Sequence, residues 1–241
     1  MTIIILGGGY ATRLYPMTLG KPKALTLVAG RTLLDRLLDG LGPVDRIVLA
    51  TSSRFFGAFS DWARGRPAAA PVTILNDRTA DDTDKFGATK ELSFALEHAM
   101  AGEDDIIVVC PDNAFGPPLS KFVDFCRGRP YPVLATYDVG QLSLARNYGV
   151  LTLDEDGHAI NCVEKPESPA STVVGCGLYY YPRTTVPYVE RYLLEGNNPD
   201  QPGRFVAWLC ERAIVQTWRV PGLWFDVGSK ESLAEANRQL A

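Results

Sequence analysis

The chain has 241 residues, a net charge of −4 and 46% hydrophobic residues, enough length and apolar content for one large α/β domain. The acid excess leaves no broad basic face for nucleic acid, and two histidines exclude a histidine-rich metal site. Five scattered cysteines (Cys110, Cys126, Cys162, Cys176, Cys210) without zinc or redox spacing point to a reducing, cytoplasmic setting, and neither a signal peptide nor a membrane span is expected.

The run Ile3-Ile4-Ile5-Leu6 reads as a short buried strand over 2–6. Gly7, Gly8 and Gly9 follow at once, then Thr12 and Arg13, then Lys21 and Lys23. Glycines let the backbone approach a ligand closely and turn amide N–H groups toward an anion, which nearby cations neutralise. That chemistry suits a nucleoside triphosphate at the carboxyl edge of a sheet, where open α/β folds bind ligands. A dinucleotide fingerprint would place Thr12 at its third glycine, and the strand over 46–50 ends in Thr51-Ser52 without a ribose-binding acid. A Walker loop fails as well, because Pro22 follows Gly20-Lys21 and Tyr15 stands where its first glycine belongs. A plain glycine-rich turn is the alternative.

Helix 31–41, strand 46–50, helix 54–64, strand 72–75, helix 88–100, strand 106–110, helix 118–127 and strand 132–137 then alternate. The alternation predicts a Rossmann-like α/β fold, a mostly parallel mixed sheet flanked by helices on both faces. The pattern then changes. Residues 148–153 and 159–163 read as a β-hairpin around a turn at 154–157. A strand over 177–181 and helices over 184–195, 204–212 and 229–240 follow, and 215–220 is expected to pair across Pro221-Gly222 with 223–225. This second part reads as a substrate-binding lobe on the same sheet.

Asp112, in Cys110-Pro111-Asp112-Asn113, and Asp226, in Phe225-Asp226-Val227-Gly228, each follow an apolar strand. Two carboxylates at strand ends can hold one Mg²⁺, which takes hard oxygen ligands and shares the rest with phosphates. Singly, each is a weak signal with a turn or helix-cap residue as the alternative; together with a phosphate loop they are stronger. Glu164-Lys165 is presented at a strand end by Pro166, which cannot continue the ladder. A carboxylate accepting from hydroxyls beside an ammonium suits a sugar phosphate; an exposed ion pair is the alternative. Tyr179, Tyr180 and Tyr181 read as half-buried strand residues rather than as a sugar platform.

These segments, in this order, resemble the sugar-1-phosphate nucleotidylyltransferases, in particular their glucose-1-phosphate thymidylyltransferase branch. The opening G-G-x-G-T-R-L-x-P-x-T signature stands as residues 8–18, with Lys23 behind it. L-G-D-N stands as 110–113, Y-G-V as 148–150, E-K-P as 164–166, G-L-Y-x-Y as 177–181, and W-x-D-x-G-T as 224–229. Three positions depart from the pattern. Ala11 replaces the glycine before Thr-Arg, Pro111 replaces a glycine, and the segment 76–86 before Gly87 is longer and more acidic.

The resemblance implies a nucleotide-diphospho-sugar transferase-like fold in a single domain over 1–241, with about 1–140 holding the nucleotide and about 141–241 the sugar phosphate. It implies a nucleotide site of Leu6, Gly8, Gly9, Thr12, Arg13, Lys23, Asn76 and Gly87. It implies a sugar-phosphate site of Tyr148, Gly149, Glu164, Lys165 and Cys176. Mg²⁺ is expected on Asp112 and Asp226, and Arg13, Lys23 and Asp112 are expected to act in catalysis. The implied reaction joins a nucleoside triphosphate, dTTP or UTP by the branch, to a sugar 1-phosphate and releases pyrophosphate. Cytidylyl or guanylyl transfer to another sugar phosphate or a small phosphate or phosphonate stays open, as does a non-catalytic nucleotide-sugar-binding module. No nucleic-acid or membrane partner is expected, and homo-oligomerisation is left open.

Overall fold

The computed structural model describes residues 1–9, 20–66, 70–81, 83–99 and 101–241. Strand β1 (Thr2–Leu6) runs into the glycines. After a single 3₁₀ turn at Lys23–Leu25 come β2 (Leu27–Val28), β3 (Arg31–Thr32), α1 (Leu33–Leu41), β4 (Arg46–Thr51), α2 (Ser53–Gly65) and β5 (Val72–Asn76). Next are α3 (Ala88–His98), β6 (Ile106–Val109), β7 (Asn113–Phe115), α4 (Ser120–Cys126) and β8 (Val133–Asp138). The chain continues through α5 (Leu142–Ala145), β9 (Gly149–Leu153), β10 (Ala159–Glu164), β11 (Val173–Tyr181) and α6 (Pro187–Leu194), then α7 (Pro202–Cys210), β12 (Gln216–Arg219), β13 (Trp224–Asp226) and α8 (Lys230–Gln239).

The period-2 alternation of the strands sorts their side chains to two faces. Ile3, Ile5, Ile47, Leu49, Ile107 and Val109 pack with α1, α2 and α4 on one side. Ile4, Leu6, Val48, Ala50, Ile106 and Val108 pack with α3, α6 and α7 on the other. Both faces are therefore dry, which is why these strands are apolar through their centres. The main path of the nine-stranded sheet is β10-β9-β11-β6-β1-β4-β5, with β8 on β11 and β12 on β8. The β6-β1-β4-β5 run is parallel, and β11 joins it antiparallel to β6. The expected α/β class, with a mixed sheet flanked by helices, is what the fold shows.

Helix α1 buries Leu33, Leu34, Leu37, Leu38 and Leu41, a helical repeat worth roughly 1.5–3 kcal/mol per buried leucine. It starts two residues later than the periodicity predicts. Arg31-Thr32 instead pairs with Leu27-Val28 across Ala29 and Gly30, both at positive φ, and the Thr32 hydroxyl then caps the helix by accepting the Asp35 N–H at 3.0 Å.

A larger correction concerns 215–225. Its two halves do not pair with each other: β12 runs parallel to β8, and β13 crosses to pair antiparallel with β7. The register sets Asp226 opposite Asn113, and the Val227 N–H donates to the Asp112 carbonyl at 2.9 Å. The two strand-end aspartates thus become neighbours through 113 residues of intervening chain. The three tyrosines of β11 are core side chains, each under a tenth exposed. Among the described residues no helix is long and apolar enough to cross a membrane, and all five cysteines are free thiols.

Candidate active site

At the carboxyl edge of the sheet the chain must leave β1 and turn beneath β4. Gly7 is pinned there, its N–H donating to the Ala50 carbonyl at 2.8 Å and its carbonyl accepting from Thr51 Oγ1 at 3.1 Å. A Cβ on Gly7 would lie 2.9 Å from that Ala50 oxygen, so the close approach admits only glycine. The Gly8 N–H donates at 2.8 Å to Glu91 Oε1, in the first turn of α3, and a Gly8 Cβ would sit 3.1 Å from both carboxylate oxygens. Glu91 is buried. Desolvation pushes its carboxyl up to about 8, with Asp77 adding to the rise while the Gly8 and Gly7 amides work against it.

A cavity opens over these residues, walled by Leu6, Gly7–Gly9, Lys23, Gly87, Glu91 and Asp112. Gly87 has φ +77°, and a Cβ there would come 2.7 Å from Asp200 Cα. Lys23, its side chain 13% exposed, holds Asp112 Oδ2 at 3.0 Å and Asp226 Oδ1 at 3.5 Å. Asn113 aims Asp112: its Nδ2 donates to Asp112 Oδ1 at 2.8 Å and to the Cys110 carbonyl at 3.0 Å, while its Oδ1 accepts from Trp224 Nε1 at 2.8 Å.

A second cavity lies on the other side of Asp112, walled by Tyr148, Gly149, Glu164, Lys165, Tyr179 and Asp226. The two cavities share Cys110, Asp112 and Pro202. Glu164 is largely buried, which raises its pKa; the Lys165 ammonium at 3.9 Å and Arg204 counter only part of that rise. Its carboxylate rests on two glycines, since a Cβ on Gly203 would fall 2.2 Å from Glu164 Oε2 and one on Gly149 3.1 Å from it. Lys165 has φ +47°, an uncommon backbone for a non-glycine, and its N–H donates to the Tyr148 carbonyl at 2.9 Å. Tyr148 packs edge-on against Trp224 with centroids 5.2 Å apart.

The structure thus gathers Leu6, Gly8, Gly9, Lys23, Gly87, Asp112, Tyr148, Gly149, Glu164, Lys165 and Asp226 around two adjoining cavities. Thr12 and Arg13 lie outside the described residues. Two expected site residues point elsewhere. Asn76 Oδ1 accepts from Ser53 Oγ at 3.1 Å and from the Arg78 N–H at 2.8 Å, and its neighbour Asp77 takes the place in the cavity wall. Cys176 is fully buried in the core, because strand alternation turns Gly175 and Gly177 to the cavity instead.

Glu91 and Asn113 were not anticipated as functional. Glu91 had a signal, an acid on the helix face that carries Leu92, Ala95 and Leu96; the role of Asn113 depends on the β7–β13 pairing. Asp112 and Asp226 fit a divalent cation: both are hard oxygen donors, and both already converge on one positive charge. An exposed trio, Asp154, Asp156 and His158, also brings three ligand atoms within 4.8 Å of one another, but Asp154 Oδ1 is engaged by the Asp156 and His158 N–H groups of its own hairpin turn.

A glycine-rich strand end, an ammonium and paired carboxylates on the carboxyl edge of an α/β sheet are groups suited to handling a phosphorylated nucleotide. The sequence profile of the nucleotidyl transferase family matches residues 2–241, and the chain belongs to that family. It is 27% identical over 255 residues to a Sulfolobus acidocaldarius protein assigned as a mannose-1-phosphate guanyltransferase, a match spanning 100% of this chain and 63% of that protein. It is 26% identical over 251 residues to the UTP–glucose-1-phosphate uridylyltransferase AglF of Haloferax volcanii, spanning 100% of this chain and 96% of that one. Its fold superposes with a TM-score of 0.86, at 22% identity, on the crystal structure of a Bacillus anthracis protein assigned as a glucose-1-phosphate thymidylyltransferase, in complex with sucrose, covering 100% of this chain and 95% of the other. Against several curated relatives the chain spans little more than half of their length, between 54% and 63%.

Proposed function

We propose that the chain joins a nucleoside triphosphate to a sugar 1-phosphate, forming a nucleotide-sugar and releasing pyrophosphate. The observation that carries this reading is the meeting of two cavities at Asp112. One offers glycine backbone and Lys23 to a triphosphate. The other offers Glu164 and Lys165 to a phosphorylated sugar. Two substrates seated there would meet at the carboxylates. The relatives are named for transfers of guanylyl, uridylyl and thymidylyl groups, so the shared chemistry is nucleotidyl transfer and the base differs among them.

A phosphate oxygen of the sugar 1-phosphate attacks the α-phosphorus, the bond from that phosphorus to the oxygen bridging to the β-phosphate breaks, and pyrophosphate leaves with the electron pair. Little covalent work falls to the protein; it positions the reactants and offsets charge. Lys23 is placed to stabilise negative charge around the α-phosphorus, with Arg13 assigned the same work. Gly8, Gly9 and Gly87 line the nucleotide's path, and Thr12 is assigned to the same site. Glu164 accepts from sugar hydroxyls, and Lys165 pairs with the sugar's phosphate beside Tyr148 and Gly149. Asp112 and Asp226 would hold Mg²⁺, which supplies charge neutralisation to the phosphates when bound. The free thiols agree with a reducing, cytoplasmic setting.

A pyrophosphate-release assay over a panel of triphosphates and sugar 1-phosphates tests the reading. Release that requires both substrates and Mg²⁺ and stops with EDTA is expected. Binding of both ligands without release would leave a binding module in its place.

A further inference from the structure

We propose that Asp77 reads the nucleotide base, and that its free carboxylate oxygen selects guanine; this rests on the nucleotidyl-transfer reading of the same cavity. Strands β6, β1, β4 and β5 are consecutive neighbours in the sheet. Asp112 follows β6, the glycines follow β1, and Asp77 follows β5. Three inter-strand steps separate the two aspartates by ~14 Å along the sheet edge. That is the reach of an extended nucleotide from its α-phosphate to the far edge of its base. With the phosphates at Lys23 and Asp112, the base falls toward Asp77.

The wall there suits a base. Leu6, Phe59 and Ala88 are apolar, Gly87 has no room for a side chain, and the cavity has a volume of ≈ 260 Å³. Asp77 itself is only 7% exposed. Its Oδ1 is taken by the Thr79 N–H at 2.8 Å and the Thr79 hydroxyl at 2.7 Å, and its own N–H donates to the Thr51 carbonyl. Among the described residues no hydrogen bond reaches Oδ2. A carboxylate in a cavity wall with one oxygen uncommitted can accept a hydrogen bond from a donor on a ligand.

An ionised carboxylate only accepts. Thymine and uracil offer one N–H flanked by two carbonyl oxygens, both repelled by the carboxylate. Cytosine and adenine offer an amine beside a ring-nitrogen acceptor. Guanine alone among the common bases presents two adjacent donors, N1–H and the 2-amino group.

The test sets GTP, ITP, dTTP, UTP, CTP and ATP in competition at equal concentration, with products identified by mass. The wild-type protein is expected to prefer GTP, and to use ITP, which lacks only the 2-amino group, about tenfold less well. Asp77→Asn keeps an Oδ1 acceptor for Thr79 but turns Oδ2 into a donor, and is expected to shrink the ratio of GTP to dTTP use by tenfold or more. The comparison of GTP with ITP needs no variant, so a failure of Asp77→Asn to fold leaves the test intact. Preference for dTTP, UTP, CTP or ATP, equal use of GTP and ITP, or an equal loss for every triphosphate in Asp77→Asn overturns the assignment of the base while nucleotidyl transfer stands. No product from any triphosphate overturns both.

Discussion

In the cavity on the glycine side of Asp112 the wall is backbone: Gly7 is locked to β4 and the Gly8 amide rests on Glu91. In the cavity on the other side the wall is side chain: Glu164 fills the space left by Gly149 and Gly203, and Lys165 is held out at the end of β10 by a left-handed backbone. A buried carboxylate underlies each region, but among the described residues only Glu164 has a neighbouring ammonium. Glu91 has amides alone among the described residues, and its proton is correspondingly harder to remove. The difference teaches that one carboxylate shapes a loop while the other is available to meet a substrate.

The sharpest break in that comparison is at the shared boundary. Asp112→Asn should preserve the Asn113 contact through Oδ1 yet lower kcat by roughly 10²-fold or more, about 3 kcal/mol, whichever substrate is limiting. Steady-state pyrophosphate release measures it, and near-normal turnover would remove Asp112 from the reaction.

Glu91 comes next. In the unfolded chain it ionises near 4.5, and in the folded chain at about 8. Between these values the folded state retains a proton that the unfolded state has released, so stability falls as pH rises from 4.5 to 8 and levels off above. Glu91→Gln keeps an acceptor for the Gly8 N–H without the charge. It is expected to gain about 2–3 kcal/mol over wild type on going from pH 5 to pH 9, less than the full shift because buried sites relax. Urea unfolding at the two pH values decides; an unchanged pH dependence would show that Glu91 is not buried as described.

Gly8→Ala and Gly203→Ala form a matched pair, each placing a methyl against one of the two carboxylates. Gly203→Ala should raise KM for the sugar 1-phosphate by about tenfold and leave the nucleotide KM nearly unchanged; Gly8→Ala should do the reverse. Equal effects on both substrates from either variant would mean that the cavities do not act separately. The smallest effect is expected from Lys165→Ala, a several-fold rise in KM for the sugar phosphate with little change in kcat, since that phosphate is charged before and during the reaction. No change in either constant would break the assignment of Lys165.

Much of this arrangement was legible in the sequence because it is local. Apolar runs fixed the strands, and Gly8, Gly9, Lys23, Glu164 and Lys165 sit in motifs whose chemistry is evident from spacing. Asp112 and Asp226 were recognisable as strand-end carboxylates, but not their route to one another: turn residues at Pro221-Gly222 suggested a local hairpin, while the β7–β13 pairing is decided by long-range packing of Trp224 on Asn113 and Tyr148. Asn76 and Asp77 are adjacent, and a strand end rotates adjacent side chains to opposite sides, so one-residue accuracy was needed to choose between them. Cys176 failed for the same reason, one position from two glycines that do face the cavity.

The most direct measurement is a crystal structure of the protein with the nucleotide-sugar that the turnover assay yields. The account places the base among Leu6, Phe59, Asp77 and Gly87, the pyrophosphate bridge beside Lys23, Asp112 and Asp226, and the sugar against Glu164 and Tyr148. A product lying wholly within one cavity, or reversed between the two, would contradict it.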